Sequence, residues 1–159
     1  MRLRTLGFEQ VFRYTGGKMD WFASGLPREG RLAARVRAGE IARRDAPTCG
    51  PADRVVDVIP RMRAAGWNLC VVVDAERVVL GVLEAEAPGV DALVGQAMRE
   101  GPRTLRPHVP VDDVIERFRR RDANSSVLIT TSSGRLLGVL RRSDLAATDG
   151  PQRTEAATR

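Results

Sequence analysis

The sequence contains few of the residues that most often carry catalysis or staple small domains. Its 159 residues include 2 cysteines, 1 histidine and a single lysine, and aromatic residues make up 4%. Two cysteines are too few for a disulfide framework, and one histidine excludes a multi-histidine metal site within one chain. The sequence also lacks the glycine-rich phosphate loop, the zinc spacing and the dinucleotide fingerprint of common enzymes. We therefore expect no catalytic residues, no metal ion and no required cofactor.

Long apolar runs are also missing. No segment approaches the ~20 apolar residues that cross a bilayer, and no signal peptide opens the chain. We therefore expect a cytoplasmic protein without membrane contact, in which Cys49 and Cys70 are reduced. The hydrophobic fraction of 43% and the charged fraction of 29% are typical of a folded globular chain.

The net charge of +6 does not form a basic patch. Much of the excess lies in residues 1–40, which carry eight Lys and Arg against four Asp and Glu. Nucleic-acid surfaces need clustered cations and preferably interleaved aromatic residues. The even spread of arginine along the rest of the chain therefore argues against a nucleic-acid partner.

Two copies of one unit make up most of the chain, aligned at an offset of 56 residues that becomes 57 after one insertion. Each copy has apolar residues at i, i+3, i+4 and i+7, which is the spacing of an amphipathic helix with one buried face. Two short apolar runs separated by a turn follow in each copy and predict a β-hairpin. The corresponding residues are Val55 and Val111, Val58 and Val114, Ile59 and Ile115, Met62 and Phe118, and Gly81 and Gly138.

The predicted hairpins cover residues 69–83 and 127–140, with turns at 74–77 and 131–135. Residues 69–73 form a continuous apolar run, which is typical of a strand covered on both faces. A unit of about 50 residues with one helix and one hairpin buries too little apolar surface to be stable alone. The sequence therefore predicts that the two copies pack into one core.

This repeat resembles the cystathionine β-synthase (CBS) domain, which nearly always occurs as a tandem pair. The resemblance rests on residues 46–51 and 102–107, on the runs 70–74 and 81–83, and on residues 134–145. It implies an α/β fold of two β-α-β-β-α repeats with pseudo-twofold symmetry, preceded by a short strand-helix extension. The implied boundaries are 31–45 for an arginine- and alanine-rich linker, 46–92 for repeat 1, 93–148 for repeat 2 and 149–159 for a flexible tail.

The same resemblance implies a ligand site in the cleft at repeat 2. In the family, a Gly-apolar-apolar-Thr/Ser-x-x-Asp stretch contacts AMP, ADP, ATP or S-adenosylmethionine, and its Asp accepts hydrogen bonds from the ribose hydroxyls. Repeat 2 keeps Gly138 and Asp144 but has Arg141 at the hydroxyl position, and repeat 1 lacks both the hydroxyl and the Asp. The implied site residues are Asp144 for the ribose, Arg141 or Arg142 for phosphate, and Thr104, Leu105, Val127, Leu128 and Ile129 around the base.

Other interpretations of these residues stay open. Asp144 is also placed to cap the short helix that follows it, and Arg141 and Arg142 are equally suited to surface ion pairs. A CBS pair also leaves apolar helix faces uncovered, so we expect a homodimer. The competing function is a scaffold without ligand that only mediates dimerisation or partner binding.

The first thirty residues resemble the C-terminal end of a rhodanese, a sulfurtransferase domain. The resemblance rests on Leu6-Gly7-Phe8, Val11-Phe12, residues 16–21 and Gly25-Leu26-Pro27, and it predicts a strand within residues 6–14 followed by a helix over 18–24. Sulfur transfer needs a reactive cysteine thiolate in a loop of backbone N–H groups, and no such loop is evident. We interpret residues 1–30 as a remnant whose aromatic side chains pack in the core or join two chains, with a degenerate sulfurtransferase as the remote alternative.

Overall fold

The computed structural model describes residues 2–23, 26–27, 29–30, 35–86, 91–119 and 125–146. The tail predicted at 149–159 lies outside these residues. Helices and strands follow the order predicted for a tandem repeat. They are α1 (Arg2–Thr5), α2 (Gly17–Ala23), α3 (Ala38–Ile41), β1 (Thr48–Cys49), α4 (Val55–Ala64), β2 (Leu69–Val73), β3 (Val79–Glu84), α5 (Val94–Ala97), β4 (Arg99–Glu100), β5 (Thr104–Leu105), α6 (Val111–Arg119), β6 (Ser126–Thr130), β7 (Leu136–Arg141) and α7 (Arg142–Ala146).

Each repeat has its own small sheet. The first has the order β1-β2-β3-β4 and the second has the order β5-β6-β7. Strand β1 is parallel to β2, and β5 is parallel to β6. Strands β2 and β3 form one antiparallel hairpin, and β6 and β7 form the other. Both hairpins shift register at corresponding places, between Val72 and Val73 and between Ile129 and Thr130. The prediction of two equivalent hairpins is therefore confirmed.

The hairpin turns show the same correspondence at single residues. Arg77 and Gly134, which are 57 positions apart, both have a positive φ, of 64° and 84°. Glycine reaches this conformation without steric cost, whereas arginine does not. In the first turn the carboxylate of Asp74 accepts the backbone N–H groups of Glu76 and Val78. These bonds hold the first turn in the conformation that glycine supplies in the second.

The two hairpins meet at the pseudo-twofold axis. Val79 N–H donates to the carbonyl of Gly134 at 3.1 Å, and Leu136 N–H donates to the carbonyl of Arg77 at 2.9 Å. Three buried residues of the second repeat, Leu128, Leu136 and Val139, belong to the hydrophobic cluster of the first. The prediction that the two copies share a core agrees with this packing.

A short segment in front of each repeat packs on the other repeat. Residues 35–43 fall in the predicted linker, yet Ala38 is fully buried and its N–H donates to Val109 at 2.8 Å. The corresponding residue Val94 is also fully buried, and its N–H donates to Asp53 at 2.8 Å. Each repeat is therefore completed by chain that precedes its partner, which ties the two together.

Two glycines allow these segments, which the two repeats exchange, to lie close to the hairpins. Arg99 pairs with Val82 of β3, and Arg43 bridges to Val139 of β7. A Cβ on Gly81 would lie 2.9 Å from the Arg99 carbonyl oxygen, and one on Gly138 would lie 2.8 Å from the Arg43 carbonyl oxygen. A side chain at either position would push the added segment off the sheet.

The predicted helices bury the predicted faces. Val55, Val58 and Met62 of α4 are buried in the first repeat. The corresponding face of α6 is buried in the second repeat by Val111, Val114 and Phe118. Both cores therefore form between one helix and one sheet, as the i, i+3, i+4, i+7 spacing predicts.

The N-terminal extension differs from its prediction. Helix α2 agrees with the helix predicted over 18–24, but no strand forms within residues 6–14. A strand needs a neighbour for its backbone groups, and here none is paired with this segment. Phe8 and Phe12 are 59% and 87% exposed, so the expectation that these two rings pack in the core is wrong. Within the described residues, no helix is long and apolar enough to span a bilayer.

Candidate ligand-binding clefts

A cavity of about 720 Å³ lies between the two repeats, and we call it the open cleft. Its walls come from the start of β2, the end of β3, the segment from β4 to β5, and the start of β6. The lining residues are Asn68, Leu69, Val82, Glu84, Glu86, Arg99, Gly101, Pro102, Arg103, Ser125, Ser126 and Leu128. Pockets for small ligands commonly have volumes of roughly 300–1,000 Å³, so the open cleft is large enough for one.

Charges of both signs line the open cleft. Glu84 ends β3, and its carboxylate accepts hydrogen bonds from the guanidinium of Arg99, with the shortest at 2.7 Å. The pairing of β4 with β3 holds these two side chains together. Glu86 makes no hydrogen bond or ion pair with the residues that the structure describes. Because both members of the ion pair are more than half exposed, water and solutes reach them.

The corresponding place at repeat 2 is occupied by protein side chains. We call this group the Trp67 cluster, and it consists of Arg43, Asp45, Trp67, Arg141 and Asp144. The guanidinium carbons of Arg43 and Arg141 lie 4.8 and 4.5 Å from the centroid of the Trp67 ring. Cations at this distance from an indole ring are attracted by its quadrupole. Trp67 is only 3% exposed.

Local structure fixes the position of Trp67. Gly66 follows the end of α4 with a φ of 73°, the left-handed conformation in which glycine terminates helices. Trp67 N–H then donates to the carbonyl of Met62 at 3.1 Å. Arg141 reaches across from the second repeat and donates to the Gly66 carbonyl at 3.4 Å. The turn after α4 therefore delivers the indole to the second repeat.

Asp144, the residue predicted to hold ribose, contacts Arg141 of the Trp67 cluster. Its Oδ2 accepts the backbone N–H of Arg141 at 3.1 Å, and its Oδ1 lies 3.3 Å from the Arg141 guanidinium. Arg43 lies 4.0 Å away. Because Arg141 directly precedes α7, this carboxylate caps the start of the helix, from inside its first turn. The predicted cap of a helix that follows Asp144 is therefore wrong in position, because α7 begins at Arg142 and Asp144 caps it from its third residue.

A second ion pair closes the cluster. The guanidinium of Arg43 donates to the carboxylate of Asp45 through two hydrogen bonds. This contact lowers the pKa of Asp45 and raises that of Arg43. Each of the two arginines beside the indole therefore has a carboxylate of its own, which offsets their mutual repulsion.

The other predicted site residues are divided among different surroundings. Thr104, Leu105 and Val127 line a separate cavity of about 330 Å³ beside α6. Leu128 lines the open cleft, and Ile129 is fully buried in the second core. The structure does not bring these five residues together, because successive residues of a strand point to opposite faces.

Arg142 is the last of the predicted site residues. Arg142 is partly buried at the start of α7, and its backbone N–H donates to Ser125 at 3.1 Å. Sequence reasoning missed Trp67, Arg43 and the open cleft. The repeat offset contained the signal, because Arg43 corresponds to Arg99 at 56 positions and Glu84 to Arg141 at 57.

The cysteines and the histidine occupy structural positions. Cys49 and Cys70 are both buried, in β1 and β2, and a hydrogen bond between the thiols lowers the pKa of Cys49 and raises that of Cys70. Neither lies in a loop of the kind that sulfur transfer needs. Burial, with Arg37 and Arg106 nearby, lowers the pKa of His108. No cluster of three metal-ligating side chains occurs in the described part of the chain.

Several solved structures are similar to this chain. Protein MJ1004 from Mathanocaldococcus jannaschii is 16% identical, with a TM-score of 0.63, and the match covers 71% of this chain and 58% of that one. CBSX2 from Arabidopsis thaliana, solved in complex with AMP, is 15% identical, with a TM-score of 0.64 and coverages of 71% and 95%. The cytosolic domain of the Mg²⁺ channel MgtE, solved in complex with ATP, is 19% identical, with a TM-score of 0.63 and coverages of 74% and 51%.

The chain therefore spans little more than half of MJ1004 and about half of the MgtE domain. No curated protein matches the sequence. The family model described as CBS domain matches it twice, over residues 38–86 and 94–148. Both matches begin in the segments that the two repeats exchange. With two matched segments, two equivalent hairpins and a shared core, the chain belongs to the CBS domain family as a tandem pair.

Proposed function

We propose that this CBS pair is a non-catalytic regulatory module that senses an adenosine-containing ligand, such as AMP, ADP, ATP or S-adenosylmethionine. The observation that carries the proposal is the open cleft between the repeats. It combines apolar, acidic and basic groups in one cavity of about 720 Å³. Such a cavity suits a ligand that has a flat ring, hydroxyl groups and a charged end.

The groups in the open cleft match a nucleotide part by part. Leu69, Val82 and Leu128 offer apolar contact to a base. The carboxylate of Glu86 is suited to accept hydrogen bonds from two vicinal hydroxyls of a ribose. Arg103 is suited to a phosphate, because a guanidinium binds phosphate oxygens through paired hydrogen bonds. We therefore propose Glu86 and Arg103 as the ligand's polar contacts.

Two of the similar structures support the ligand class. CBSX2 was solved in complex with AMP and the MgtE cytosolic domain in complex with ATP. Both have the fold of this chain. The repeat-2 site implied by the family motif is the second candidate position for the same ligand. There, binding at Asp144 requires that the ligand replace the contacts of Asp144 with Arg141.

Calorimetric titration with AMP, ADP, ATP and S-adenosylmethionine tests the proposal and decides between the two positions. We expect Glu86→Gln to weaken binding about tenfold or more, because it removes a charged hydrogen-bond acceptor. Glu76→Gln, an exposed carboxylate in the first hairpin turn, is the matched control and leaves binding unchanged. A loss in Asp144→Ala alone would place the ligand at repeat 2. Absence of binding at millimolar concentration of every ligand would refute the sensing function.

A scaffold that dimerises is the second candidate function, and exposed apolar side chains in the N-terminal segment favour it. Leu6 and Phe8 are 64% and 59% exposed, and Phe12 is 87% exposed. Apolar groups clustered on a surface commonly mark contacts between proteins. Sedimentation of the chain and of Phe8→Ser/Phe12→Ser separates the two functions. The scaffold is supported if the parent chain is a homodimer, the double variant is a monomer, and no nucleotide binds.

A further inference from the structure

The pseudo-twofold axis relates the walls of the open cleft to residues of the Trp67 cluster. Arg99 corresponds to Arg43 and Glu84 to Arg141, as the offsets of 56 and 57 residues require. Arg99 pairs with Val82 of the first hairpin, and Arg43 pairs with the corresponding Val139 of the second. The two places therefore have the same backbone walls. At repeat 1 the walls enclose a cavity, and at repeat 2 they enclose the indole of Trp67.

The sequence explains this difference. The segment that corresponds to Trp67 lies within residues 119–125, which contain no aromatic residue. The charge on the facing wall is also reversed, because Glu84 at repeat 1 is replaced by Arg141 at repeat 2. Arg43 and Arg141 both lie against the indole ring. A planar aromatic ring beside two guanidinium groups makes the contacts that a bound heterocycle would make there.

The polar group of the indole, its N–H, makes no hydrogen bond to the described residues, and its Nε1 is buried. A buried N–H without an acceptor is unfavourable, and tryptophans in cores usually find one. The turn after α4 and the two cations therefore hold the ring in place, although its N–H has no partner in the part of the chain that the structure describes.

We propose that Trp67 is a built-in occupant of the repeat-2 cleft, and that its indole takes the place of the planar ring of a ligand. The open cleft is then the one ligand site of each chain, a consequence that rests on the proposed function. Removing the indole leaves a flat cavity bordered by Arg43, Arg141 and their carboxylates. The class of compound that fits this cavity is a planar aromatic heterocycle, for which indole is the probe.

Rescue of a truncated Trp67 by added heterocycle tests the occupancy. We expect Trp67→Ala to unfold at a lower temperature than the parent chain, and millimolar indole to raise its midpoint by roughly 3 °C or more. Indole should not stabilise the parent chain. Trp21→Ala is the matched control, because Trp21 belongs to α2, outside both clefts. That variant removes an indole of the same size and should show no rescue.

A large-to-small change in a core is costly, so Trp67→Leu is made in parallel to keep more apolar volume. Rescue of either variant supports the proposal. If neither variant is stabilised by indole, whether it is folded or not, the proposal is wrong. This result does not depend on whether the parent chain binds a nucleotide. A failure of the built-in occupant is therefore distinguishable from a failure of the sensing function.

The fluorescence of Trp67 tests the single-site consequence in the intact fold. The chain has 2 tryptophans, so Trp21→Phe leaves Trp67 as the only indole emitter. Under our proposal a bound nucleotide leaves this emission at the wavelength of a buried indole, with one ligand bound per chain. A shift to the wavelength of a water-exposed indole, or two ligands per chain, would show that nucleotide displaces Trp67 and would overturn the proposal.

Discussion

The open cleft and the Trp67 cluster have equivalent backbones and opposite contents. In both places the segment from in front of one repeat places an arginine beside the end of a hairpin. In both, a glycine in the hairpin leaves room for the backbone of that arginine. The first place has a carboxylate opposite that arginine and space between the repeats. The second has another arginine and an indole. The two places therefore share a backbone, while a few side chains decide which of them is an open cavity.

The cores of the two repeats can be compared in the same way, and here we expect the largest effect. Phe118 and Met62 correspond at the end of the buried helix face and are 5% and 0% exposed. We expect Phe118→Ala to lower the free energy of unfolding by about 3–5 kcal/mol and Met62→Ala by about 2–5 kcal/mol. Urea unfolding monitored by circular dichroism measures both. If the shared core makes the repeats one cooperative unit, each variant shifts a single transition, and two separate transitions would contradict this.

The two glycines under the exchanged segments should differ by a smaller amount. A Cβ on Gly138 meets the Arg43 carbonyl at 2.8 Å and Ala42 Cβ at 3.0 Å, neither of which can move easily. At Gly81 the Cβ also meets a backbone oxygen, that of Arg99 at 2.9 Å, but its other close contacts are with the flexible side chain of Met98. Overpacking of this kind costs about 1–3 kcal/mol, so we expect Gly138→Ala to lie at the upper end and Gly81→Ala at the lower. Gly50→Ala, with no neighbour within 4 Å, is the control.

The sequence was sufficient to predict the repeat and its elements. The apolar spacing around Val55 and Val111 and the apolar runs after them predict a helix and a hairpin in each copy, because these patterns follow from local geometry. The left-handed turn at Gly134 was also predictable from one residue. The exchange of residues 35–43 was not, because a short segment that packs 60 or more residues away carries no local periodicity.

The candidate site was less predictable than the fold for a physical reason. A motif such as Gly138 to Asp144 specifies backbone and side-chain types, but the contents of a cleft depend on whatever else reaches it. Trp67 reaches the repeat-2 position from the other repeat, and it looks like an ordinary core residue in the sequence. Repeat 1 likewise lacks the hydroxyl and the Asp of the motif, yet the cavity between the repeats lies beside its residues Glu84 and Glu86.

Asp144 provides a test of the contact that the repeat-2 motif makes in this structure. Its carboxylate accepts the N–H of Arg141 in front of α7, and its side chain is 20% exposed. Loss of a helix cap typically costs about 0.5–2 kcal/mol, so we expect Asp144→Ala to lower the free energy of unfolding by about 1 kcal/mol in the absence of ligand. Ser143→Ala, an exposed neighbour, is the control. A neutral effect of Asp144→Ala would argue that the carboxylate is kept for a ligand.

His108 adds a pH dependence to one repeat only, because Ala52 is its counterpart at an offset of 56 residues. Burial lowers the pKa of His108 from the ordinary value of 6.5, so the unfolded chain binds its proton more readily than the folded chain. Its contribution to stability is therefore fully present above about pH 6.5 and decreases as the pH falls through the folded-state pKa. We expect His108→Gln to flatten the dependence of the unfolding free energy on pH below about pH 6.5. An unchanged slope would assign the dependence to carboxylates.

The smallest effects should come from the ion pairs on the two facing walls. Glu84 and Arg99 are 51% and 60% exposed, whereas Asp144 and Arg141 are 20% and 25% exposed. Exposed pairs are screened by water and contribute about 0–1 kcal/mol. We therefore expect a double-mutant cycle on Glu84→Gln and Arg99→Met to give a coupling energy near the bottom of that range. The cycle on Asp144→Asn and Arg141→Met should give the larger coupling, since those side chains are less hydrated and share a backbone hydrogen bond. If the two cycles give the same coupling energy, both in 0.5 M salt and in dilute buffer, ionic attraction does not distinguish the two places. The indole is then the main difference between them.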